Sequence, residues 1–133
     1  MPDAVTRYLE SLNAQDWGAM ATTLTDGAFE RVGPFCDVVD DKAAYLEFLD
    51  KVVAKLGDYA VRTRRIADAG SAVYAEINET FVLDGKRMDF PEVLAFDLGS
   101  DGLITRVQVY MMRPDEGTVV GGGRAGPPGG GPA

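Results

Sequence analysis

Between Tyr59 and Met112 the chain reads as four strand-like runs whose connections are too short for anything except reversals. The runs are YAVRTRRIAD, SAVYAEINETFVL, RMDFPEVLAFD and LITRVQVYMM, with the turn signals AGS, DGK and LGSDG between them. Parallel strands need long crossovers, so runs joined this closely form an antiparallel meander. Asp84-Gly85 also fixes the register, because a two-residue hairpin turn demands positive φ, which Asp and Gly tolerate. It sets Leu83 opposite Lys86, Phe81 opposite Met88, Glu79 opposite Phe90 and Ile77 opposite Glu92. Side chains alternate between faces, so Ile77, Glu79, Phe81, Met88, Phe90, Glu92 and Leu94 share one side. That side is apolar except for its two glutamates. On the last run the matching parity is Val107, Val109 and Met111. A slip of one residue would turn both glutamates to solvent. Pro91 falls opposite Asn78 at a non-hydrogen-bonded pair, so its missing N–H weakens only the pairing to the last strand, and a bulge is expected there.

The first half of the chain has helical texture. Val5, Tyr8, Leu9 and Leu12 follow the i, i+3, i+4, i+7 pattern of an amphipathic helix over residues 3–14. Asp16 is placed to cap a second, short helix carrying Trp17, Met20 and Leu24. TDG at 25–27 leads into a short strand, AFERV, which Gly33-Pro34 stops. A third helix starts near Asp40 or Asp41 and ends at Gly57, with Tyr45, Phe48, Leu49, Val52, Val53 and Leu56 as its buried stripe. Three helices followed by a long curved antiparallel sheet make an α+β domain over residues 1–115, with the helices on one face and a cone-shaped cavity between. Residues 116–133 are rich in Gly and Pro and are expected to be a disordered tail.

Composition narrows the chemistry. The 133 residues carry 21 acidic against 13 basic side chains, net −8, which repels phosphate backbones and anionic lipid surfaces. Neither nucleic acid nor a membrane is therefore an expected partner, and no apolar run reaches transmembrane length. The expectation is a soluble, cytoplasmic protein. Histidine is absent and Cys36 is the sole cysteine, which removes Ser-His and Cys-His nucleophile pairs, multi-Cys metal sites and internal disulfides. No Gly-rich phosphate loop and no metal-ligand spacing occurs, so neither cofactor nor metal is expected. Acid–base chemistry at neutral pH would need Asp, Glu, Tyr, Lys or Cys with a shifted pKa. Glu79 and Glu92, diagonal neighbours roughly 7–8 Å apart at the backbone, fit that need. Two carboxylates in an apolar pocket do not both ionise cheaply, so one is expected to hold its proton.

The order of elements, with RYLESLNAQDW (7–17) and FDLGSDGLITRVQVY (96–110), resembles the NTF2-like superfamily with its cystatin-like cone, and within it the SnoaL-like and ketosteroid-isomerase-like proteins. The resemblance covers residues 3 to about 113. It implies a hydrogen-bond donor at Tyr8, from the RY of the first helix, and a carboxylic acid at Glu92 of PEVLAFD, where the family has Asp. It departs at the proton-shuttling aspartate of the steroid isomerases, whose place is taken by Val32 or Gly33. Of the three charged groups of limonene-epoxide hydrolases only one survives, as Glu79.

Two kinds of function follow. One is a cofactor-independent acid–base enzyme acting on a carbonyl compound as an isomerase, cyclase or dehydratase. Its catalytic groups would be Glu79, Glu92 and Tyr8. Trp17, Phe48, Phe81, Met88, Phe90, Leu94, Val107, Val109 and Met111 would line a site for a small hydrophobic ligand. The other is a non-catalytic ligand-binding or interaction module, with the glutamates satisfied by Tyr8, Tyr45 or Arg31. The opposite sheet face, with Tyr74, Thr80, Val82, Val93, Ala95, Gln108 and Tyr110, has the composition of an interface, and the resemblance implies a homodimer through it.

Overall fold

The computed structural model describes residues 3–113. Its elements are α1 (Asp3–Ala14), α2 (Trp17–Ala21), β1 (Glu30–Val32), β2 (Val38–Val39), α3 (Lys42–Val52), β3 (Gly57–Asp68), β4 (Ala72–Leu83), β5 (Lys86–Leu98) and β6 (Ile104–Met111). The expected disordered tail lies outside the described residues. None of the described helices is long and apolar enough to cross a membrane.

α2 and α3 each start where a carboxylate caps the helix. Asp16 accepts from the Ala19 N–H at 3.0 Å and Asp41 from that of Ala44 at 2.9 Å, each replacing one intrahelical bond missing from a first turn. The end of α3 differs from expectation. The chain tightens into a 3₁₀ turn over Val53–Lys55, and Gly57 opens β3 instead of terminating the helix. The left-handed residue is Asp58, at φ 48°. The extra turn buries Val53 but carries Val52 to the surface, so the stripe on α3 is narrower than its sequence implies.

The six strands form one curved sheet in the order β2-β1-β6-β5-β4-β3. β3 to β6 make the antiparallel meander. Asp84 and Gly85 have φ of 53° and 75°, and the register they set runs unbroken from Ala72 opposite Asp97 to Leu83 opposite Lys86. No bulge forms at Pro91. Its missing N–H falls where β6 runs out at Met111, and its carbonyl still accepts from the Met112 N–H at 2.9 Å. The irregularity between β5 and β6 lies instead at Asp97 and Leu98, beside the turn. β1, distant in sequence, adds to β6 in parallel, placing Arg31 beside Val107. The sheet is therefore mixed.

The inner face of the sheet meets the helices. Val5, Tyr8, Leu9 and Leu12 of α1 and Tyr45 and Leu49 of α3 are buried against Val73, Ala75, Ile77, Leu94, Phe96 and Val107. Apolar burial of this kind is the main force holding the two layers together. The Tyr8 and Phe96 rings meet edge-to-face, 5.1 Å between centroids. The outer face leaves Tyr74, Val93 and Tyr110 exposed.

Candidate active site

A cavity of about 360 Å³ opens between α3, the β1–β2 loop and the hairpin end of the sheet. Its wall is mostly apolar. Of the expected ligand-contacting residues, Phe48, Phe81, Phe90, Leu94, Val109 and Met111 line it, and so do Tyr8, Glu79 and Glu92. Trp17, Met88 and Val107 are not among its lining residues. α2 reaches the core through Met20, which is fully buried, and Trp17 packs on the flank. Met88 lies one step nearer the hairpin turn than Phe90, opposite Phe81. Val107, 0% exposed and paired with Phe96, belongs to the packed layer.

The two glutamates come from adjacent strands, as the register requires. Glu92 is only 6% exposed, and its Oε2 has no hydrogen-bond partner among the described residues. Burial disfavours its charged form, and the hydrogen bond and negative charge of Glu79 add to that effect. The positive charge of Arg31 opposes them without prevailing, and the Glu92 carboxyl is pushed up to about 10. Glu92 is therefore a neutral acid at physiological pH, a proton donor in an apolar wall.

Glu79 is held from β3. The Tyr59 hydroxyl donates to its Oε2 at 2.5 Å, a partner different from the expected Tyr8, Tyr45 or Arg31. Burial, followed by the charge of Glu79, raises the Tyr59 phenol far above its usual value and keeps it a donor. Across the cavity the Tyr8 and Tyr45 hydroxyls meet at 2.5 Å. Burial again is the largest cause of the upward shift of both phenols. Tyr45 joins the site because it stands on α3 at the depth that Tyr8 reaches from α1.

Sequence reasoning did not assign a site role to Tyr59, and it named Arg31 only as a possible partner of the glutamates. A signal for Tyr59 existed. Tyr59 and Val61 alternate on the same side, and Val61 pairs with Glu79. The irregular register between Gly57 and Ala60 obscures it. For Arg31 the sequence offered a candidate but no position, since the parallel pairing of β1 with β6 brings it to the cavity.

A family model for the SnoaL-like domain matches residues 5–107. No protein of curated function matches the chain. Among solved structures, an epoxide hydrolase of limonene-epoxide-hydrolase-like type from M. tuberculosis is 22% identical over 84% of this chain and 81% of its own, with a TM-score of 0.73. A protein from Jannaschia described as a SnoaL-like polyketide cyclase is 20% identical over 82% and 83%, TM-score 0.73. A protein of ketosteroid-isomerase-like fold from Catenulispora acidiphila, in complex with trimethylamine, is 16% identical over 83% and 85%, also at 0.73. At these identities the likeness carries the fold.

Proposed function

The chain belongs to the SnoaL-like domain family, and on that premise we propose that it binds a small apolar carbonyl compound and moves a proton on it by acid–base chemistry of its own side chains. One observation carries the proposal: Glu92 is buried on the wall of a cavity of about 360 Å³ that Glu79 also lines, where burial favours its neutral form. A buried carboxylic acid serves as a donor to a developing oxyanion, and a second carboxyl next to it serves as the base.

In the proposed reaction the substrate carbonyl oxygen accepts a hydrogen bond from the Glu92 carboxyl. Glu79, fixed by the Tyr59 hydroxyl, takes a proton from the carbon next to the carbonyl. The C–H electron pair becomes the new C=C bond, and the carbonyl π pair moves to oxygen, where Glu92 stabilises it. Return of the proton to a different carbon is isomerisation, attack of the enolate carbon on a second carbonyl is cyclisation, and loss of a β-hydroxyl is dehydration. The Tyr8–Tyr45 hydroxyl pair supports the oxygen end of the substrate. Phe48, Phe81 and Phe90 receive its apolar body.

The test is hydrogen–deuterium exchange at the α-carbon of β-tetralone, followed by NMR. The protein is expected to accelerate exchange above buffer, and Glu79→Gln and Glu92→Gln are each expected to cost about 100-fold or more. Binding without any exchange would leave a ligand-binding module. A self-associated state through the outer face carrying Tyr74, Val93 and Tyr110 is also proposed, on the exposure of those three side chains. Sedimentation of the protein against Tyr110→Lys decides it, with a lighter variant expected and equal masses refuting it.

A further inference from the structure

Two charged groups on the cavity wall have no part in the proton transfer just described: Arg113, whose guanidinium lies over the Phe35 and Phe90 rings, and Arg31. Arg31 lines the cavity from β1, and its side chain is only 12% exposed. Its Nη1 donates to Asp37 Oδ2 at 3.1 Å, its guanidinium lies 5.0 Å from the centroid of the Phe48 ring, and its Nε is buried with no partner among the described residues. Glu92 Oε2 is in the same condition. Two unsatisfied polar atoms thus belong to residues of one cavity, and a buried polar atom without a partner is costly until something satisfies it.

The guanidinium is held by a built loop. Asp37 Oδ1 accepts from the Phe35 N–H at 3.2 Å, while the Gly33 N–H donates to the Asp37 carbonyl at 2.7 Å. A Cβ at position 33 would stand 2.4 Å from Asp37 Oδ1 and 2.7 Å from Arg31 Nη1, so a larger residue there would displace the Arg31–Asp37 pair. Asp37 is half exposed and engages the fork through Nη1 alone, while Nε stays buried without a partner among the described residues. The surrounding polar groups are donors: the Glu92 acid and the Tyr8–Tyr45 hydroxyl pair, all of which feel the charge of Arg31. The competing acceptor, Glu79, is already engaged by Tyr59.

We infer that Arg31, clamped by Asp37, is the anion-recognising end of this cavity, and that its preferred ligands are apolar compounds bearing a negatively charged oxygen. Either a carboxylate substituent or an enolate-like oxygen supplies that chemistry. The inference rests on the cavity of the proposed function as a ligand site, and not on turnover.

Calorimetric titration at neutral pH with three probes of one body tests it: naphthalene carboxylate, a nitro-substituted naphthol acidic enough to be an anion there, and the neutral acetylnaphthalene. The carboxylate or the naphthol is expected to bind about tenfold tighter than the ketone, the gain of one charge-assisted hydrogen bond. Arg31→Met should erase that margin, whereas Arg31→Lys should keep part of it. A lead by the carboxylate assigns the anion to a substituent, and a lead by naphthol assigns it to the reacting oxygen. Equal or tighter binding of the ketone, a margin that survives in Arg31→Met, or no binding of any probe overturns the inference. Should Arg31→Met not fold, the ranking by the unaltered protein still decides. Anion preference without exchange on β-tetralone would keep this inference and remove the acid–base reading; exchange without anion preference would do the reverse.

Discussion

The two ends of the β4–β5 hairpin share strands, register and apolar parity, yet they solve different problems. At the end away from the turn, Val73 pairs with Phe96 and Ala75 with Leu94, and all four are buried. At the turn end, Ile77 pairs with Glu92 and Glu79 with Phe90, and the same inner face carries two carboxyls. The first end is closed by α1, whose Tyr8 ring packs on Phe96. The second faces α3 across the cavity. A carboxyl pair persists there because tyrosines and an arginine reach it from other elements, and because one member keeps its proton. Close apolar packing is concentrated at one end, and buried polarity at the other.

The sharpest break of this comparison is Phe96→Ala. It empties the packed end and is expected to cost about 3–5 kcal/mol in denaturant unfolding. A much smaller loss would mean that the packed end is not where stability resides.

Next comes pH. Glu92 binds its proton more tightly in the folded chain than in the unfolded one. Its contribution to stability is complete below the ordinary carboxyl value of 4.5 and is lost as pH rises toward about 10. Thermal or denaturant unfolding should therefore weaken across this window by an amount on the order of a few kcal/mol, and Glu92→Gln should flatten the dependence. An NMR titration of the Glu92 side-chain carboxyl carbon should likewise show no inflection near 4.5. Parallel pH profiles of the protein and of Glu92→Gln would show that the carboxyl is not buried as described.

Replacing the polar end with an apolar one sharpens the contrast from the other side. Glu92→Met removes a buried unsatisfied oxygen and should stabilise the protein by about 1–3 kcal/mol at pH 8 while abolishing the proposed exchange. The smallest effect belongs to Tyr59→Phe, which removes the donor from Glu79 at nearly constant volume. A loss of about 1 kcal/mol is expected, together with a measurable fall in exchange. If stability drops and exchange does not, Tyr59 supports the fold alone.

What the sequence determined is whatever local geometry dictates. Asp84-Gly85 is a contiguous dipeptide whose φ values set one hairpin, and strand alternation then carries that register outward residue by residue. This placed Glu79 and Glu92 on the inner face, together with Phe81, Phe90 and Leu94. Asp16 announced its helix in the same local way, as did Asp40 or Asp41 for α3, of which Asp41 is the cap. The elements read less well were those where alternation is interrupted. The 3₁₀ turn after α3 and the irregular start of β3 displaced Gly57 from its expected role and hid Tyr59. Tertiary structure alone decided that β1 joins β6 in parallel, that Arg31 enters the cavity, that Tyr8 and Tyr45 meet from separate helices, and that Trp17 and Val107 stay outside the pocket lining. Those outcomes depend on contacts between residues tens of positions apart, whose energies come from whole-layer packing and have no periodic imprint in the chain. The amino-acid order thus wrote the carboxyl pair into one face, and the packing of helices and β1 around that face made it a site.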